Sequence, residues 1–272
     1  MATIWRGSVT FGLVNVPVEL KPAVRDHRLS FRMLSKEGDS PIRFKRVRED
    51  TGDEVAFRDI VKGYEYEKGE YVILTDEDFE KAALKQSNTI DIEDFVEASE
   101  VDPRLYETAY FLVPGKGGDR AYALLRDAMA ETGTVGIGKI ILHKRQHIAE
   151  LRADGKALVL MLLRFADEVV DPAEYSFPTT EGDKSRELKM ATELVKSLQS
   201  EFDPSKYADE YDANLRRIIN AKSKGRRVTL EERGKGTPEP KVLDLMEKLQ
   251  QSLEATKKKP AAAKGSRRRK TA

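Results

Sequence analysis

The chain has no cysteine among its 272 residues, which excludes disulfides and every thiolate metal site. No apolar run approaches the ~18 residues needed to span a bilayer. Arg6, Asn15, Pro17 and Glu19 interrupt any signal-peptide core near the start. The expectation is a cytoplasmic protein with no membrane association. Catalytic motifs are scarce as well. Gly115-Lys-Gly-Gly-Asp-Arg120 has the spacing of neither a P-loop nor a dinucleotide fingerprint, and reads as a turn between a strand and a helix. Only three histidines occur, His27, His143 and His147, and no glutamate follows His143 as a zinc-binding helix would require. No nucleophile–base pair stands out. These absences point away from an enzyme and from a bound metal or cofactor.

What the chain does have is charge. Lys, Arg, Asp and Glu make up 35% of it, yet the net charge is only +1. That balance hides an asymmetry, because Lys257, Lys258, Lys259, Lys264, Arg267, Arg268, Arg269 and Lys270 form an acid-free tail. The rest is acidic overall, so a nucleic-acid site on it must be local rather than spread over the surface. Residues 25–62 concentrate cations, among them Arg28, Arg32, Lys36, Arg43, Lys45, Arg46 and Arg48. Within them Ile42-Arg-Phe-Lys-Arg-Val-Arg48 reads as a strand polar on both faces, either an exposed edge or an arm meeting a charged ligand. Lys139, Lys144 and Arg145 offer an alternative cationic place.

Hydrophobic periodicity supplies the rest of the organisation. Trp5, Val9 and Phe11 alternate with Arg6, Ser8 and Thr10, and Val14, Val16, Val18 and Leu20 alternate after Gly12, the period of half-buried strands. Gly69–Leu74 predicts a strand, followed by a helix capped by Thr75 with acids in its first turn. Strands are expected near 90–96, 106–113, 135–143, 147–152 and 158–165, the last two joined by an Asp154-Gly155 turn. A helix over about 119–132 should bury Tyr122, Leu125, Ala128 and Met129 and stop at Gly133. The strand spacing suggests a barrel. Two amphipathic helices follow, one over 185–202 and one carrying Tyr207, Tyr211, Leu215, Ile218 and Ile219. They end in Lys222, Lys224, Arg226 and Arg227. A Gly/Pro linker then leads to one more apolar stripe, Val242, Leu245, Met246, Leu249 and Leu253. The Lys/Arg/Ala/Pro tail beyond should be disordered.

Ordered segments along the chain resemble the bacterial Ku proteins, which bind broken DNA ends. The segments are Ile4-Trp-Arg-Gly7, Ser8-Val-Thr-Phe-Gly-Leu-Val14, Asp59-Ile-Val-Lys-Gly-Tyr-Glu-Tyr66, Val72-Ile-Leu-Thr-Asp-Glu-Asp-Phe79, Leu163-Arg-Phe-Ala-Asp-Glu-Val169 and Tyr207-Ala-Asp-Glu-Tyr211. The resemblance covers residues 1–224. It implies a mixed α+β, β-dominated chain. Residues 1–180 would hold a Ku-type β-barrel whose bridge, about 25–62, closes a ring around DNA in a homodimer. A helical arm over 183–227 follows, then a linker and partner-binding helix over 228–255 and a basic tail over 256–272. It further implies a nucleoid-associated role in non-homologous end joining, with double-stranded DNA ends and ATP-dependent DNA ligase D as partners. DNA contacts would fall on the bridge cations, on Lys222–Arg227 and on the tail, and the stripe from Val242 to Leu253 would meet the ligase. Many Ku relatives carry cysteines near the turn that here reads Val47-Arg-Glu-Asp-Thr-Gly52, so no zinc role is expected there. Two other readings remain at this stage. One is a metal-dependent nuclease or nucleotide-handling enzyme built on Asp91, Glu93 and Asp94. The other is a β-barrel interaction protein whose DNA affinity lies wholly in the tail.

Overall fold

A computed structural model describes residues 2–83, 87–179 and 185–226, together with residues 249, 250, 252 and 254. The first two strands are β1 (Trp5–Phe11) and β2 (Val14–Pro22), paired antiparallel from Trp5↔Leu20 to Phe11↔Val14. The two residues between them are Gly12 and Leu13. Gly12 sits at φ 56°, the position that a two-residue hairpin of type II′ reserves for glycine. β3 (Lys62–Glu67) and β4 (Glu70–Leu74) form a separate two-stranded hairpin, and α1 (Asp76–Ala82) follows at once. Thr75 and Asp78 close a reciprocal capping box at the start of α1.

The remaining strands are β5 (Thr89–Glu97), β6 (Tyr106–Pro114), β7 (Thr134–Leu142), β8 (Arg145–Asp154) and β9 (Ala157–Leu163). With β1 and β2 they close a seven-strand barrel in the order β1-β2-β6-β9-β8-β7-β5. Every neighbour is antiparallel except the closing pair, β1 and β5, which run parallel from Ser8↔Thr89 to Thr10↔Asp91. Alternate residues of each strand point inward and fill the barrel. Val16, Val18 and Leu20 do so from β2, and Leu158, Leu160 and Leu162 from β9. Burying such a side chain contributes ~1.5–3 kcal/mol. Val14, expected on the same inner face, is half exposed, because the hairpin tip carries it past the rim.

α2 (Asp119–Thr132) lies against β2, β7 and β8 and buries Tyr122, Leu125 and Met129 in the barrel core. Ala128, expected among them, is exposed, because three residues per two turns already cover the contact stripe. The buried Tyr122 hydroxyl donates to the Leu112 carbonyl at 2.8 Å and accepts from the Leu158 amide at 2.6 Å, tying the helix to β6 and β9. Gly133 ends α2 in the left-handed region at φ 69°. Gly138 on β7 serves a different need, since a Cβ there would lie 2.1 Å from the Asp91 carbonyl oxygen of β5.

The described chain divides into two compact units, Met1–Glu174 and Tyr175–Ala272. The second holds α3 (Ser185–Leu198) and α4 (Glu210–Lys222). α3 is strongly amphipathic and leaves Leu188, Val195 and Leu198 exposed, while Phe202 stacks on Tyr207 at 6.0 Å between the helices. Among the described residues no helix is long and apolar enough to cross a membrane.

Candidate nucleic-acid interface

The sequence predicts a strand over Ile42–Arg48 within the cationic stretch 25–62, and the structure corrects this. From the end of β2 at Pro22 to the start of β3 at Lys62 there is no named strand, only the isolated bridges Leu34↔Pro41 and Val47↔Glu54 and a single 3-10 turn at Phe57–Asp59. The physical reason is turn density. Gly38 and Asp39 take φ 77° and 51°, Gly52 takes φ 75°, and each reversal closes after a pair of backbone bonds such as Ile42 N–H to Met33 O and Val55 N–H to Arg46 O. Nearly all of this arm is exposed, including Phe31, Phe44 and Phe57.

Charge is divided unevenly along the arm. Residues 25–48 carry eight lysines and arginines against three acids, whereas residues 49–59 carry five acids against Arg58. The acidic stretch folds back on the later cations. Lys45 Nζ lies 2.7 Å from Glu54, and Arg48 makes a two-point contact with Asp50 at 2.7 and 2.9 Å. These bonds hold the Asp50 carboxyl below the usual carboxylate range and raise the Arg48 guanidinium. Arg46 stacks over Phe57 at 5.1 Å from the ring centre. By contrast, Arg28, Arg32, Lys36 and Arg43 have no side-chain partner among the described residues. The candidate contacts are thereby sorted: four cations face solvent free, and Lys45 and Arg48 are internally neutralised.

Lys222, Lys224 and Arg226 are exposed where α4 ends, with the chain reversing at Gly225 (φ 68°) and the Arg226 amide bonded to the Ala221 carbonyl at 2.9 Å. Arg227 and the tail cations Lys257, Lys258, Lys259, Arg267, Arg268, Arg269 and Lys270 lie outside the described residues. So do Val242, Leu245, Met246 and Leu253, while Leu249 is described, helical and half-buried.

The acidic candidates do not assemble into a metal centre. Asp91 accepts hydrogen bonds from Thr10 and Thr89, and Glu93 sits in a bulge of β5 where Lys139 Nζ holds it at 2.8 Å. Among the described residues no group of three or more His, Cys, Asp or Glu side chains could hold an ion. The Gly115 loop is a βα turn in which the Gly115 amide donates to the Pro17 carbonyl at 2.8 Å.

Two features escape a reading of the sequence. On β8, Ala149 and Leu151 point into the barrel, so Glu150 points outward, yet it is fully buried and is the one buried charged residue among those described. Tyr106 Oη donates to it at 2.6 Å, and Arg152 bonds both Glu150 (2.8 Å) and the Tyr106 oxygen (2.9 Å). The second feature is a cleft of about 590 Å³ between α1 and the β7–β8 turn, which brings Lys144 and Arg145 beside Lys62. Neither arrangement carries a local signal, because Tyr106 lies 44 positions from Glu150 and Lys62 lies 82 from Lys144.

Comparison with known proteins bears on what this arm and barrel belong to. The chain matches the family model of the Ku70/Ku80 beta-barrel domain over residues 10–193. It is 43% identical over 285 residues to the non-homologous end joining protein Ku of Opitutus terrae, with all of both chains covered. Identity to the non-homologous end joining protein Ku of Archaeoglobus fulgidus is 38%, covering 94% of this chain and all of the relative. For that of Bacillus subtilis it is 36%, covering 97% of this chain and 86% of the relative.

Proposed function

The chain belongs to the Ku family, and from that premise we propose that it is a DNA-end-binding protein of non-homologous end joining. Two copies form a ring that threads onto double-stranded ends without regard to sequence, and the assembly recruits an ATP-dependent DNA ligase, ligase D. The observation that carries this reading is the exposed arm between β2 and β3, with Arg28, Arg32, Lys36 and Arg43 unpaired among the described residues. Free guanidinium and ammonium groups on an irregular, extended backbone suit phosphates, and phosphate contacts position a protein on DNA without reading bases.

Exposure elsewhere in the same region supports the homodimer. β3 and β4 are exposed on both faces, with Tyr64, Tyr71 and Ile73 open to solvent. An isolated two-stranded hairpin is marginal in water, and a second copy would cover both it and the aromatic residues of the arm. In this reading the barrel is a rigid frame, the arm is the gripping element, and no side chain acts as a catalyst. Its setting is the cytoplasm, on the nucleoid.

A closed ring admits DNA only at a free end. Linear duplex should therefore bind, and a covalently closed circle of the same sequence should not. Equal affinity for the two forms would refute the ring.

A further inference from the structure

We infer that the cleft between the β7–β8 turn and α1 seats a backbone phosphate of duplex DNA, so that the barrel grips DNA as well as the arm; this rests on the DNA-binding reading above. Leu142 pairs directly with Arg145, leaving His143 and Lys144 as a two-residue turn. Both take positive φ, 50° and 68°, as a type I′ hairpin demands. Asparagine and glycine meet that demand at little cost and histidine tolerates it better than most, whereas lysine at the second position is strained. Strain of this kind persists where the side chains have a use.

The use is visible in the cleft. Lys144 and Arg145 line it together with Lys62, the first residue after the arm, and none of the three is in an ion pair among the described residues. Lys62 Nζ lies 4.3 Å from the centre of the Phe79 ring, a contact that orients the ammonium without neutralising it. Asp76 and Glu80 of α1 line it as well. Three cations against two carboxylates leave the lining with a small positive excess, which suits one phosphate rather than several. That fits a single point of the DNA backbone grazing the barrel at the foot of the arm. A long anionic chain lying in the cleft would not fit.

The test uses the full chain with His143→Asn and Lys144→Gly together, and separately with Lys144→Gln and Arg145→Gln, which leave the backbone demand unchanged. The first pair should raise the melting temperature by relieving the turn. Both should weaken binding of linear duplex, read by fluorescence anisotropy across salt concentrations. Loss of one phosphate contact should flatten the slope of log affinity on log salt by about 0.9, so that each variant loses about 3.5-fold less affinity than wild type between 50 and 200 mM salt. Wild-type slope and affinity in both variants would overturn the inference while leaving the DNA reading intact. A wild-type chain that fails to bind linear duplex would overturn both.

Discussion

Glu150→Ala tests the energetics of the buried carboxylate on the outer wall of the barrel. The change removes two charge-assisted hydrogen bonds, from Tyr106 and Arg152, each worth ~1.5–3 kcal/mol. Breaking a fully buried ion pair costs ~3–5 kcal/mol because a charge is stranded. Here the stranded partner is Arg152, whose side chain is 41% exposed, so it can turn to water and recover part of that cost. The expected destabilisation is therefore about 3 kcal/mol. Tyr106→Phe removes one hydroxyl, which donates to Glu150 and accepts from Arg152, and should cost about 1.5–2 kcal/mol. The double variant should cost at least 1 kcal/mol less than the sum, since both changes delete the same bond. Urea unfolding followed by Trp5 fluorescence reads all three. Trp5 is the chain's only tryptophan and packs against the barrel core. A cost below about 1 kcal/mol for Glu150→Ala, or strict additivity, would show that the network is not a cooperative unit. The same site has an alkaline signature. Burial first, and then the bond to Glu150, push the Tyr106 phenol from 10.0 up to about 12. The unfolded chain releases that proton first, so the contribution of neutral Tyr106 is present in full below pH 10.0 and is lost as pH rises toward about 12. Subtracting the Tyr106→Phe profile from the wild-type profile should isolate this decline, and a flat difference would refute the assignment.

Two further predictions concern binding. Charge reversal at Arg28, Arg32, Lys36 or Arg43 should weaken DNA binding alike for all sequences and flatten the salt slope by roughly 0.9 each, whereas reversal at Lys45 or Arg48 should do less; equal effects in salt-dependent anisotropy would mean that the Glu54 and Asp50 pairs open on DNA. Truncation after Ala255 should lower DNA affinity mostly at low salt and spare ligase recruitment. Truncation after Arg227 should abolish recruitment and keep end-dependent binding, and a pull-down in which that shorter chain still captures ligase D would refute the partner role of the stripe from Val242 to Leu253.

Much of the barrel is legible in the sequence because each strand has one dry and one wet face. Val16, Val18 and Leu20 against Asn15, Pro17 and Glu19 leave a period of two that no other structure satisfies. α2 is equally plain, since its apolar stripe runs into Gly133. The arm was misread for a related reason. Residues polar on both faces give no period, and the pattern cannot separate a solvated strand from an irregular loop. What decides is the spacing of Gly38, Asp39 and Gly52, which reverse the chain before a ladder can grow. The interface is harder still. Counting cations marks Arg43, Lys45, Arg46 and Arg48 as equivalent, yet their states differ with acids further along. Glu54, nine positions after Lys45, takes that lysine, and Phe57 takes Arg46. Among the described residues Arg43 has no such partner. The cations free to meet an anion are those that the fold leaves unpaired, and pairing is a property of how the arm returns on itself. A sequence reading therefore finds the cationic arm and cannot tell which of its cations the fold pairs with acids. It marks Lys144 as a cation but not its meeting with Lys62, 82 positions away, which comes about because the β7–β8 turn reaches α1.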